Sequence, residues 1–264
     1  MNLLGHRARK RFGQHFLHDQ QVIERLIRAI KPKLGDLMVE IGPGQGALTL
    51  PLLHCLGQLE AIELDRDLAA YLIERCASEG NLRLHNVDSL TFDFRTLAHD
   101  NRRLRVVGNL PYNISTPLLF HLLGQVGILE DMHFMLQREV VTRLAAKPGG
   151  KDYGRLSVMV QFYCEVEPLF TVKSGAFVPP PKVDSMVVRL RPHQPSLAPN
   201  ISHEALNRVV SQAFSQRRKT LANALKGLLS SAELIALGID PRQRPETVSL
   251  EHYLALTRYW LQAQ

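Results

Sequence analysis

Asn109 follows an apolar, β-branched pair, Val106-Val107, and Gly108, and it leads into Leu110, Pro111 and Tyr112. The pair reads as the end of a buried strand, so an amide oxygen, a stiffened turn and an aromatic ring fall together at its carboxyl end. In an open α/β sheet, ligands lie outside the carboxyl ends of the strands. The chemistry this set suits is holding a flat base that carries an exocyclic amine. Taken by itself the stretch reads more simply as a strand-to-helix turn, with Asn and Pro serving turn geometry.

Other strand ends add weight. Gly42, Gly44 and Gly46 follow a predicted strand and precede a predicted helix, where glycines allow the backbone to approach a ligand. Glu63 ends the next strand, where an acid can accept both hydroxyls of a ribose. Asp88 ends the third, where a carboxylate can accept from an adenine amino group. Together they describe an adenosine pocket. The spacing does not exclude NAD, because the dinucleotide fingerprint tolerates Ala where Ala47 stands. S-adenosylmethionine is favoured by the extra Gly46, by Glu40 just before the turn, and by Pro51. That proline disturbs the helix start a pyrophosphate would use, whereas the methionine part needs no helix end.

Beside a methyl donor, Asn109 has a defined task. An aryl amine is a poor nucleophile because its lone pair is delocalised. If the Asn109 side-chain oxygen and the Leu110 carbonyl both accept its hydrogens, the nitrogen is drawn toward tetrahedral geometry and its lone pair points at the methyl group. The same acceptors stabilise the positive charge that develops. Positioning supplies the rest, and no general base of special pKa is required. Tyr112 would stack on the base. Phe177 opens a stiff loop, Pro179-Pro180-Pro181, and could offer the other face of a clamp around a flipped base.

The elements that must position these residues are legible as an alternation. A helix capped by Asp19 is expected with Val22, Ile23, Leu26, Ile27 and Ile30 on one face, stopped by Pro32. Strands are expected at 37–41, 58–63, 82–86, 104–107 and 132–136. Helices are expected from about Thr49 to 56, at 67–76, after a Ser115 or Thr116 cap, and at 139–146. From 156 the pattern changes to β-rich runs at 156–164, 166–172 and 185–190 without helices between them. A sheet that begins βαβα and ends antiparallel is a mixed, doubly wound one. Pro192, Pro195 and Pro199 mark a linker. Beyond it only helical patterns occur, at 202–215, 219–229, 231–237 and 249–262. The expected domains are 1–195, α/β with a basic N-terminal arm, and 196–264, small and all-helical.

With 264 residues there is room for one large domain and a small one, and 45% hydrophobic residues suit a water-soluble core. A net charge of +7 favours a polyanionic partner, nucleic acid first and an anionic membrane second. Arg7, Arg9, Lys10 and Arg11 form a basic arm, and Arg217, Arg218 and Lys219 a basic cluster; both are candidate RNA-backbone contacts. Cys55, Cys76 and Cys164 are widely spaced, with no metal-ligand pattern, and are expected as buried free thiols in a reducing cytosol. Neither a signal peptide nor a run of about 18 apolar residues is found.

Five motifs in order make the chain resemble a known family: Phe12-Gly13-Gln14-His15-Phe16-Leu17, Glu40-Ile41-Gly42-Pro43-Gly44, Glu63-Leu64-Asp65, Gly108-Asn109-Leu110-Pro111-Tyr112-Asn113-Ile114-Ser115, and Phe177-Val178-Pro179-Pro180-Pro181-Lys182-Val183-Asp184-Ser185. Gln216-Arg217-Arg218-Lys219-Thr220 extends the match, so it covers nearly the whole chain. The chain resembles the rRNA adenine N6-methyltransferases, in detail their bacterial small-subunit (16S) dimethyltransferase branch. The resemblance implies a Rossmann-like S-adenosylmethionine-dependent fold with a helical RNA-positioning domain. It implies dimethylation of N6 on two adjacent adenines near the 3′ end of small-subunit rRNA during ribosome biogenesis, with S-adenosylhomocysteine as the other product. It places His15, Leu17, Gly42, Glu63, Asp88 and Asn109 against the donor, and Asn109, Leu110, Tyr112 and Phe177 against the target base. His15 departs from the commoner Asn, and with it reach and charge differ. A cytoplasmic monomer acting on an assembling 30S particle is expected.

Other readings are a large-subunit adenine methylase and a non-catalytic small-subunit assembly factor. Leu110 and Asp184 favour the small-subunit type over the first. The intact Glu63, Asp88, Asn109 and Phe177 argue against the second. A DNA adenine methyltransferase would carry Asp or Asn followed by Pro-Pro-Tyr, and no hydride-transfer group supports an NAD oxidoreductase.

Overall fold

A computed structural model describes residues 14–100, 102–216 and 218–263. The basic arm, Arg7, Arg9, Lys10 and Arg11, and Arg217 of the basic cluster lie outside them. By packing the chain falls into two units, one of residues 1–141 and 167–192, the other of 142–166 and 193–264.

The first unit opens with β1 (Phe16–Leu17) and α1 (Gln20–Ile30). The Asp19 side chain accepts from the Val22 backbone N–H, as expected of an N-cap. There follow β2 (Leu37–Ile41), α2 (Thr49–Leu56), β3 (Gln58–Ile62), α3 (Arg66–Cys76), β4 (Asn81–His85), β5 (Leu104–Asn109), α4 (Ser115–Leu123), β6 (Leu129–Gln137) and α5 (Arg138–Leu144). Because α2 begins at Thr49, Pro51 sits in its first turn, where its missing N–H costs nothing. Ser115 does not cap α4 but is its first residue. Its hydroxyl donates back to the Tyr112 carbonyl instead, and Ile114 takes the cap position.

The next elements are α6 (Arg155–Tyr163), β7 (Cys164–Val172), β8 (Phe177–Val178) and β9 (Ser185–Pro192). The expected β-rich run at 156–164 is therefore a helix. Leu156, Ser157, Val158, Met159, Val160 and Phe162 are all buried, and a helix buried all round leaves no amphipathic period to read. Its start is secured by Ser157, whose Oγ accepts from the Gly154 N–H at 3.0 Å and donates to the Arg143 carbonyl at 2.6 Å.

The seven-stranded sheet has the order β4-β3-β2-β5-β6-β9-β7. From β4 to β6 neighbours run parallel, and β9 is antiparallel to β6. The mixed, doubly wound sheet is as expected. Its order reverses between β2 and β5, which opens a crevice at their carboxyl ends. Gly108 lets these strands close on each other: a Cβ there would lie 2.5 Å from the Ile41 carbonyl oxygen. β1 and β8 form a separate antiparallel pair, with Leu17 opposite Phe177.

The second unit holds α6 with α7 (His203–Ser215), α8 (Leu221–Ala224), α9 (Ser231–Ala236) and α10 (Leu250–Gln262). The helical unit thus takes in 142–166 as well as the chain beyond the proline linker. Pattern reading extended α8 to 229, but only one turn is regular there. Cys76 and Cys164 are buried free thiols, and burial pushes Cys164 up to about 12. Cys55 is exposed, contrary to expectation, because it lies on the solvent side of α2, opposite the buried Leu52, Leu53 and Leu56. Among the described residues no helix is long and apolar enough to cross a membrane, and no cluster could hold a metal ion.

Candidate active site

A cavity of about 280 Å³ occupies the crevice. His15, Leu17, Gly42, Glu63, Asp88, Asn109, Leu110 and Tyr112 line it, so residues far apart in sequence meet at one place.

Glu63 is buried, and its carboxylate is fixed by two backbone donors, Gly44 N–H at 3.1 Å and Asp65 N–H at 2.9 Å. Desolvation raises its pKa while these bonds oppose the rise. The rigid acid faces the glycine turn, where Gly44 holds φ +57° and a Cβ would press on the Phe16 ring at 3.1 Å. Asp88 accepts the Leu90 N–H through Oδ1 at 2.9 Å, which orients its second oxygen. Between these acids Leu64 and Val87 line the cavity while 49% and 40% exposed, apolar walls of the kind that cover the faces of a ring. Acids for hydroxyl and amino donors, apolar walls and an open backbone turn fit an adenosine-bearing ligand.

At the β5 end, the Asn109 Nδ2 donates to the His15 carbonyl at 2.9 Å. The amide is thereby oriented, and among the described residues nothing donates to its oxygen. Leu110 is anchored through its N–H to the Met135 carbonyl at 3.2 Å, its side chain buried. Tyr112 sits beside His15, ring centroids 5.6 Å apart, and its hydroxyl is 2.8 Å from Ser185 Oγ. Burial raises the Tyr112 pKa, so the phenol stays protonated at neutral pH. The His15 ring reaches the Pro179 carbonyl through Nδ1 at 2.7 Å. It therefore joins the proline loop to the strand that holds Asn109.

Phe177 is not brought to the cavity. It is 2% exposed and packs in the core with Leu17, Val172 and Val187, because pairing of β1 with β8 turns it inward. Phe16, from the same strand pair, lines the cavity in its place. Of the basic cluster, Arg218 and Lys219 are exposed on the helical unit.

Glu40 is a cavity residue that motif reading noticed but gave no role. It is buried, Thr49 Oγ1 donates to it at 2.7 Å, and desolvation pushes it up to about 7, with the nearby Glu63 charge adding to the rise. Its place before the glycine turn was the available signal. Leu64 and Val87 gave none, since an apolar residue at a strand end reads as core.

The family described as Ribosomal RNA adenine dimethylase matches residues 5–262. The chain is 94% identical to Ribosomal RNA small subunit methyltransferase A of Nitrosococcus oceani over 264 residues, all of both chains. It is 59% identical to the protein of that name from Pseudomonas fluorescens over 251 residues, covering 95% of this chain and 92% of that one. Among solved structures, a dimethyladenosine transferase from Plasmodium falciparum superposes with a TM-score of 0.81 at 26% identity, covering 94% of this chain and 98% of that one. The 23S rRNA methyltransferase ErmE superposes with a TM-score of 0.73, also at 26% identity, covering 94% and 100%.

Proposed function

The chain belongs to the ribosomal RNA adenine dimethylase family, and on that premise we propose that it transfers methyl groups from S-adenosylmethionine to N6 of two adjacent adenines near the 3′ end of small-subunit rRNA. The observation that carries this reading is the Asn109 amide. Its NH₂ is committed to the His15 carbonyl, so its oxygen is the acceptor presented to the same cavity that Glu63 and Asp88 line.

The donor supplies an electrophilic methyl carbon. Glu63 would accept its ribose hydroxyls and Asp88 its adenine amino group, and Leu64 and Val87 would cover the ring. The Asn109 oxygen and the Leu110 carbonyl accept the two hydrogens of the target amine and aim its lone pair along the transfer line. With the donor bound, the amine nitrogen would take the methyl carbon as the donor's S–C bond breaks, and the acidic ammonium would release its proton to water. For the second methyl only one hydrogen remains, so the same acceptors must work on a bulkier amine. Tyr112 offers its ring to the target base. Phe177 stays in the core and takes no part in holding the base.

The basic arm, with Arg7, Arg9, Lys10 and Arg11, and the cluster Arg217, Arg218 and Lys219 serve rRNA backbone binding on an assembling 30S particle. The helical residues 196–264 position the RNA, and the protein acts as a cytoplasmic monomer. The test is incubation with methyl-labelled donor and ribosomal subunits lacking the modification. Label in the small subunit is expected. Label only in the large subunit would overturn the substrate, and label in neither would favour a non-catalytic assembly factor.

A further inference from the structure

The hydroxyl pair of Tyr112 and Ser185 joins the cavity to the end of the proline loop. Ser185 begins β9, is fully buried, and is paired with Gln137 of β6. Its Oγ lies 2.8 Å from the Tyr112 hydroxyl, and either oxygen can donate. Tyr112 is held at its other end too, where its carbonyl accepts from Ser115 Oγ at 3.1 Å. A ring tied at its backbone and at its para hydroxyl cannot swing without leaving a buried hydroxyl unpaired, which is costly because water cannot replace the partner.

Ser185 is itself on a fixed frame. The preceding Asp184 carboxylate accepts from Lys173 Nζ at 2.9 Å and the Ser174 N–H at 3.3 Å, and its carbonyl accepts from the Arg138 N–H at 3.0 Å. The loop carrying these residues starts at Val178 and Pro179, where the His15 ring holds it. Tyr112 thus takes its orientation from the far end of a loop whose near end is tied to the residue that orients Asn109.

We propose that Ser185 is a positioning residue: its hydroxyl holds the Tyr112 ring in the plane on which the target base stacks, and so governs how often the bound amine meets Asn109. This rests on the methyl-transfer reading above. Subunit binding spreads over a surface much wider than one base, so loss of this bond lowers kcat while KM for the subunit stays in place. A hydroxyl that merely satisfied a buried polar atom would change the melting temperature and leave turnover alone.

The test compares the full-length wild type, Ser185→Ala, Tyr112→Phe and the double variant, with labelled S-adenosylmethionine and small subunits lacking the modification. Each single variant should lower kcat about five- to tenfold, the loss of one hydrogen bond, with KM within about twofold. The double variant should match either single one, because both remove the same bond. Turnover of Ser185→Ala within about twofold of wild type would overturn the proposal, as would a double variant showing the product of the two losses. If Ser185→Ala does not fold, Tyr112→Phe decides alone by its kcat at unchanged KM. A wild type that labels nothing overturns the methyl-transfer reading and this inference with it. A wild type that labels, beside Ser185→Ala at full rate, overturns the inference only.

Discussion

Asn109 is held in place by three other groups. The His15 carbonyl takes its NH₂, Gly108 lets β5 press against β2, and the Leu110 N–H is anchored on β6. Asn109→Ala should abolish methyl incorporation on small subunits while the circular dichroism spectrum and melting temperature stay close to wild type. Near-normal turnover in that variant would remove the amine-anchoring role. Asn109, Glu63 and Asp88 could be placed together from the chain because each stands at the carboxyl end of a predicted strand. The aromatic partners were not all legible. Phe16 pairs with Val178 and Phe177 with Leu17, and only this pairing of β1 with β8 decides which ring faces inward.

At the scale of elements, β6 carries a burden that its apolar pattern concealed. His133 on this strand has an almost fully buried side chain, and among the described residues neither ring nitrogen has a hydrogen-bond partner. Desolvation drives its pKa from 6.5 down to about 4, against the pull of Asp131. On unfolding it regains an ordinary value, so as pH falls from 6.5 to 4 the unfolded chain binds a proton that the folded chain refuses, and stability is lost. Glu40 works in the opposite direction. Its folded pKa of about 7 lies above the ordinary 4.5, so its contribution is present below 4.5 and is lost as pH rises to 7. The two slopes oppose each other between pH 4.5 and 6.5. His133→Leu should therefore gain about 2 kcal/mol over wild type at pH 5 relative to the difference at pH 7.5, read by urea unfolding at both pH values. An equal difference at both would show that His133 is not held neutral. The central strands of the sheet were readable as short apolar runs bounded by turns, β2 being buried along its whole length. The helix α6 was not, because buried Leu156, Val158, Met159, Val160 and Phe162 are β-formers and bulky apolar residues with no solvent face to set a period.

At the scale of the molecule, the net charge of +7 and the exposed Arg218 and Lys219 suit a polyanionic partner. Reversing the charge of Arg217, Arg218 and Lys219 together should weaken small-subunit binding at low salt and flatten its dependence on salt, because fewer counterions are released per complex. Unchanged binding would remove the cluster from the interface. The proline-rich stretch with Pro192, Pro195 and Pro199 holds the point, at His193, where the chain enters the second unit for good. That 142–166 packs with the C-terminal helices could not be foreseen, because sequence order alone does not reveal a segment that leaves one unit and returns. The most direct test of the whole is chemical. Small subunits lacking the modification are incubated with the protein and S-adenosylmethionine, and their rRNA is digested to nucleosides for mass spectrometry. The expected product is N6,N6-dimethyladenosine, mapped to two adjacent adenines near the 3′ end. Unmodified adenosine at those positions, or methylation at any atom other than N6, would contradict it.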